Sequence, residues 1–386
     1  MPRPLHEQVV VITGASSGIG RETALLFGEQ QASVVLAARN ETALRDVAQQ
    51  IEQRGGRAHV VVTDVSEYEQ VERLVQEAVN HFGRIDTWVN NAAVAVYGLV
   101  EDQTLHDIER TIQVDLMGQI YGMKAVLPQM IQQEEGTIIN VSSIEGRRAI
   151  PFHSAYAAAK HGVNAFSDTL RMEMERHHPG IKVTVVMPAS VNTPFFDHAR
   201  SRMGARPKPM PPVYEPRDVA EAIVSSAVTP QRDVYVGSMA KTLSTLHAFS
   251  PALVDRMLTT GGAAFKLQQD DEPVDQHGNL DEPAMGVGSS TGRWSGQSHH
   301  SVYTRSFETM NPNVKRLMTL ALGVGAVALL RRSMQNGDGH VHHYYDGYDD
   351  RHFEPMPYPQ AGFEEGWYYP DEPMAWSEPG YGQPFD

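Results

Sequence analysis

The chain has 386 residues, no cysteine and a formal net charge of −15 at pH 7. Without thiols it is neither a disulfide scaffold nor a thiolate metal protein, and no metal site is expected. The charge is uneven: residues 1–269 carry 25 Lys and Arg against 29 Asp and Glu, residues 270–386 only 7 against 18. The first part is thus nearly neutral, the acidity belongs to the tail, and no basic patch suits nucleic acid.

The opening MPRPLHEQ lacks the apolar stretch of a secretion signal, so a cytoplasmic protein is expected. Strand-like and helix-like segments then alternate. VVVIT (9–13) is an apolar run and residues 18–30 read as a helix. ASVVLAA (32–38) and AHVVVT (58–63) are strands separated by a helix over 41–54. Residues 67–82 place Val71, Leu74, Val75, Ala78 and Phe82 at helical spacing. TWVNN (87–91), GTIINVS (136–142) and IKVTVVM (181–187) continue the series. Short Val- and Ile-rich runs separated by helices predict a doubly wound α/β fold, its parallel sheet covered on both faces. One catalytic domain is expected over residues 6–265.

Composition changes after Gln269. Residues 270–312 are rich in Gly, Ser, Asp, Glu and Pro without a period, which predicts a flexible linker. Residues 314–333, VKRLMTLALGVGAVALLRRS, form an apolar run bracketed by basic pairs. Its 14 uncharged residues would make a helix of about 21 Å, short of a ~30 Å hydrocarbon core. The basic side chains extend that reach by snorkelling, so membrane contact through this run is expected. Docking on the catalytic domain and self-association are the alternatives. Residues 334–386 repeat Tyr, Pro, Gly, Asp and Glu and predict a disordered acidic tail.

The turn TGASSGIG (13–20) follows the first strand and opens a helix. Gly14 allows a tight turn, Gly18 a close approach to a pyrophosphate, and Gly20 close packing of helix on sheet. With Ser16, Ser17 and Ile19 they offer a dinucleotide the helix N-terminus. The second strand ends in Arg39-Asn40, where NAD sites place a carboxylate. Arginine suits a 2′-phosphate, so NADP(H) is favoured over NAD(H), unless Arg39 is merely a solvated strand end. Asp64 and Val65, after the third strand, would flank the adenine, although Asp64 serves equally as a helix cap.

SAYAAAKHG places Tyr156 and Lys160 on one helix face, and Ser143 ends a strand thirteen residues upstream. With TGASSGIG, Asn90-Asn91-Ala92-Ala93 and the segment from Pro188 to Thr193, these residues resemble the short-chain dehydrogenase/reductase family over residues 6–240. The resemblance implies a Rossmann-type sheet of about seven strands and a homo-oligomer. It implies hydride exchange between a nicotinamide and a carbonyl or alcohol. Tyr156 would be the acid/base, Ser143 the hydrogen-bond partner of the substrate oxygen, and Lys160 a ligand of the nicotinamide ribose. A Lys160 ammonium at ~4 Å would favour tyrosinate by ~4 kcal/mol at an effective dielectric near 20. Asn91 would brace the strand beside the cofactor, Pro188 would border it, and Thr193 would bond the carboxamide or cap a helix.

Three residues depart from the family. Asp115 stands in QVDLMG where the family has Asn, Ala93 ends what is usually NNAG, and Ala189 follows Pro188 in place of Gly. Asp115 keeps the backbone carbonyl of a proton relay but raises the lysine pKa when ionised; a purely structural helix role is the alternative. Substrate choice should come from 94–96, 144–145, His153 and the Phe- and Pro-rich segment 194–214, which suggests an apolar small molecule. His153 reads as solvent-facing or hydrogen-bonded. The competing functional reading is a weakly active cofactor-binding or partner-recruiting protein on the same scaffold.

Overall fold

A computed structural model describes residues 2–270, 277–310 and 314–315, all within one compact unit. The expected runs form seven parallel strands: β1 (Val9–Thr13), β2 (Ser33–Ala38), β3 (Arg57–Val62), β4 (Thr87–Asn90), β5 (Gly136–Val141), β6 (Ile181–Pro188) and β7 (Asp233–Val236). Their order across the sheet is β7-β6-β5-β4-β1-β2-β3. The order reverses between β1 and β4, and ligands bind such sheets at the carboxyl ends beside that switch point. The seventh strand, DVYV, was not read as a segment, since four alternating residues are too short a run to stand out.

Both faces are covered because successive side chains point to opposite sides. Val10, Ile12, Val34 and Leu36 pack under α1 (Gly18–Glu29), α2 (Glu41–Gln53) and the helix Pro216–Val228. Val9, Val11, Val35 and Ala37 face α3 (Tyr68–Phe82), α5 (Gly118–Gln133) and α6 (Ser154–His177), while α4 (Leu105–Ile112) packs against α6. Between α4 and α5 lies one π-helical turn, Gln113–Met117, which carries Asp115.

The largest difference from expectation lies in the stretch read as a flexible linker. Residues 277–310 are laid against the catalytic domain. Leu280 is fully buried among the core residues, and the Trp294 side chain is buried. Ser298–His299 pairs in parallel with Val213–Tyr214. Residues 301–310 and Lys315 follow the outer edge of the sheet: Thr304 Oγ1 accepts from the Gly237 N–H, and Lys315 donates to Gln231 and Glu308. The segment lacks periodicity because its regular elements are only a two-residue strand and one π-helical turn, Thr304–Glu308; side-chain anchors and backbone hydrogen bonds hold the rest. Residues 316–386, and with them nearly all of the run 314–333 and the whole acidic tail, lie outside the described residues. Among the described residues no helix is long and apolar enough to cross a membrane.

Candidate active site

The turn after β1 is built on glycine. Gly14 has φ +67°, and a Cβ there would stand 2.8 Å from the Ala92 backbone. A Cβ on Gly20 would fall inside van der Waals contact with the Gly14 carbonyl. Asn91 ties the end of β4 to this turn, its side-chain amide donating to the Thr13 and Gly14 carbonyls at 3.0 and 3.3 Å. The bracing read from sequence is therefore present. Thr193 packs against Gly18, where a Cβ would lie 3.3 Å from the threonine side chain.

Ser143 follows β5, while Tyr156 and Lys160 occupy the first two turns of α6. All three line one cavity of about 470 Å³. The Lys160 Nζ lies 5.4 Å from the Tyr156 ring centre and donates to the Val141 carbonyl at 3.1 Å. Asp115 is fully buried; its Oδ1 accepts from the Val94 N–H at 2.8 Å and its Oδ2 stands 3.8 Å from Lys160 Nζ. Thus α6 and the π-helical turn bring the tyrosine, the lysine and the aspartate together.

The electrostatics differ from the simple lysine-tyrosinate expectation. Burial raises the Asp115 carboxyl to about 6, against the opposing pull of Lys160. Burial also lowers Lys160, while Asp115 works to hold its proton. Tyr156 is pushed well above the usual tyrosine range by burial, then by Glu145 and Asp115, with a Ser143 hydrogen bond opposing. The ammonium is engaged first by Asp115, so its effect on the phenol is largely offset by two nearby carboxylates.

The same cavity extends to Gly14, Ser16, Ser17, Gly18, Ile19, Arg39, Asp64, Val65, Asn91, Pro188 and Thr193. The expected dinucleotide-binding residues are therefore continuous with the expected chemical ones. A glycine-built floor and the first turn of α1 suit a dinucleotide. Asp64 accepts from Ser66 and from Arg110 at 2.9 Å, so it holds the turn before α3; it does not cap that helix, which starts after Glu67 without a side-chain cap. Arg39 donates to backbone carbonyls of Asn279, Leu280 and Asp281, a contact absent from the sequence reading.

His153 is buried, and its Nδ1 lies 2.7 Å from Glu145 Oε1. Of the two expectations for it, hydrogen bonding holds and solvent exposure does not. Sequence reasoning also missed Asp107, a fully buried carboxylate clasped by Arg200 at 2.9 Å and by Arg202. Burial would raise it, but hydrogen bonds from Arg202 and Arg200 outweigh that and hold it far below the ordinary range. The spacing of the two arginines, alternate residues in an extended segment, was the available signal. Ile144, Ile150, Phe195, Phe196 and Met210 make the cavity wall near Tyr156 apolar. Among the described residues no cluster of His, Asp or Glu is arranged to hold a metal ion.

The short chain dehydrogenase family model matches residues 8–204, and the chain belongs to that family of oxidoreductases acting on CH–OH donors with NAD(P). It is 40% identical over 260 residues to an uncharacterized oxidoreductase, YxnA, of Bacillus subtilis, covering 66% of this chain and 72% of that one. It is 35% identical to dehydrogenase/reductase SDR family member 7B of mouse, over 66% and 81% of the two chains. Among solved structures, an alcohol dehydrogenase from Thermococcus sibiricus complexed with 5-hydroxy-NADP superposes with a TM-score of 0.53 at 25% identity, covering 59% of this chain and 95% of that one.

Proposed function

We propose that the protein interconverts an apolar carbonyl compound and its alcohol with NADP(H), using Ser143, Tyr156 and Lys160, with Asp115 behind the lysine. The carrying observation is that Ser143, Tyr156 and Lys160 line the same cavity as Gly14, Ser16, Ser17, Gly18, Ile19 and Thr193. The nicotinamide, when bound, exchanges a hydride with the substrate carbon. Ser143 Oγ holds the substrate oxygen. The Tyr156 hydroxyl gives its proton to that oxygen in reduction and receives it in oxidation. Lys160 binds the ribose and keeps positive charge beside the phenol, and Asp115 retains a proton on Lys160. The apolar wall around Phe195, Phe196 and Met210 excludes water from the reacting carbon. Arg39 is the 2′-phosphate partner. A homo-oligomer in solution and membrane contact through residues 314–333 belong to the same reading.

Tyr156→Phe tests the chemistry. It removes the hydroxyl and keeps the ring, so NADPH binding measured by fluorescence should persist while turnover falls by at least ~10²-fold. Near-normal turnover on any accepted ketone would end the mechanism.

A further inference from the structure

The docked segment tracks the cofactor groove from one end to the other. At the adenosine end, Arg39 Nη2 donates to the Asn279 carbonyl at 2.6 Å and Nη1 to that of Asp281 at 2.9 Å. Asn40 Nδ2 donates to the Ala284 and Gly286 carbonyls at 2.5 and 2.9 Å. Over the glycine turn, the Gly18 N–H donates to the Ser289 carbonyl at 2.8 Å. Gly288 lies so close to the Ser16 carbonyl that a Cβ there has no room. Toward the nicotinamide end, the Gly292 and Trp294 N–H groups donate to Asn192, next to Thr193. Residues 283–289 themselves line the cavity.

What this strap offers Arg39 is distinctive. It presents three backbone carbonyls, and Asp281 and Glu282 add two carboxylates whose charge acts on the guanidinium. Asp281 is fixed in place, paired with His106 at 2.8 Å and Arg200 at 2.7 Å. Carbonyl oxygens accept hydrogen bonds from a ribose 2′-hydroxyl, but they and the carboxylates oppose a 2′-phosphate. A phosphate reaches the two terminal nitrogens of Arg39 only in competition with the strap carbonyls.

We propose that the strap Asn279–Ser289 is an intramolecular competitor for the 2′-phosphate contact of Arg39, and that this competition sets how strongly the enzyme discriminates NADP(H) from NAD(H). With the strap seated, Arg39 is satisfied without a phosphate; the Ser289 carbonyl on the Gly18 N–H opposes the pyrophosphate of both dinucleotides alike, so that contact does not enter the ratio and the Arg39 contacts do. Binding of the 2′-phosphate draws Arg39 away and lifts residues 279–289. Leu280, buried in the core, is the spring-point that returns the strap. The inference rests on reading the groove as a dinucleotide site.

Gly288→Val and Leu280→Asp unseat the strap from opposite ends, leaving Arg39 untouched. Dissociation constants of the full-length protein for NADPH, NADH, adenosine 2′,5′-bisphosphate and AMP are measured by calorimetry. In either variant the two 2′-phosphorylated ligands should tighten relative to their 2′-hydroxyl counterparts by about tenfold or more, the scale of one charge-assisted contact. The same substitutions placed on Arg39→Ala should leave the ratio unchanged. Should a variant fail to fold, amide exchange of the wild type decides: NADPH should speed exchange across 279–286, the part held by Arg39 and Asn40, and NADH should not. A ratio that stays constant or falls in the variants, or equal protection of the strap by both dinucleotides, overturns the competition while sparing the dinucleotide site. Absence of binding by all four ligands removes both readings.

Discussion

Replacing Asp115 by Asn tests the electrostatics of the site without relying on turnover. The carboxyl is fully buried and its pKa is raised from 3.8 to about 6, chiefly by burial. A folded-state value above the unfolded one means the native state holds that proton more tightly. The contribution to stability is fully present below the unfolded pKa and is lost as pH rises through the folded one. The total change is about 3 kcal/mol, since 2.2 pH units at 1.36 kcal/mol each separate the two values. Integrating the titration places about 2 kcal/mol of that loss between pH 4.5 and 7.5. Asparagine does not titrate, so the variant lacks the loss. Urea unfolding of both proteins without cofactor, at pH 4.5 and 7.5, should show the variant gaining about 2 kcal/mol on the wild type as pH rises. The asparagine also removes the charge that holds the Lys160 proton, and release of that buried proton as pH rises stabilises the variant in the same direction. A difference between the two proteins that is the same at both pH values within about 0.5 kcal/mol would refute the reasoning.

Gly20→Ala forces a methyl against the Gly14 carbonyl and should weaken dinucleotide binding about fivefold or more by calorimetry, on the scale of an overpacking cost of ~1–3 kcal/mol. Unchanged affinity would mean the turn does not shape the site. Glu145→Gln keeps a hydrogen bond for His153 but removes a charge that raises Tyr156. The limb of the kcat/KM profile for alcohol oxidation assigned to Tyr156 should move to lower pH, and an unmoved limb counts against the assignment. Deleting residues 314–386 should shift the protein from the membrane pellet to the supernatant with kcat retained. If the full chain stays in the supernatant without detergent and ignores anionic vesicles, the tether is absent.

The sheet was legible because its strands are runs of β-branched residues such as VVVIT and IKVTVVM, each closed by a polar or glycine-containing turn. The site was legible because its residues occur at spacings that a strand end and one helix face impose. Ser143, Tyr156 and Lys160 needed only the knowledge that β5 and α6 are consecutive. The strap was not legible. Its bonds to Arg39, Asn40 and Gly18 are made by backbone carbonyls, which any sequence supplies. Leu280 and Trp294, isolated apolar residues in a polar stretch, were the available trace. The partners of Lys160 were legible only halfway: Asp115 was visible as a departure, whereas the burial that makes its carboxyl reluctant to ionise depends on the fold.

Lys315 offers one further consequence. The catalytic residues stand at the carboxyl ends of the strands, where Gly237 follows β7. Gln231, the residue that Lys315 reaches, precedes β7 at the other end. The described residues therefore touch the rim of the sheet at both ends of β7, Thr304 beside Gly237 and Lys315 beside Gln231. Thr304 at one end of β7 and Lys315 at the other thus cover the outer flank of an edge strand that has no further strand beside it among the described residues, closing an edge that would otherwise be open to pairing with another chain.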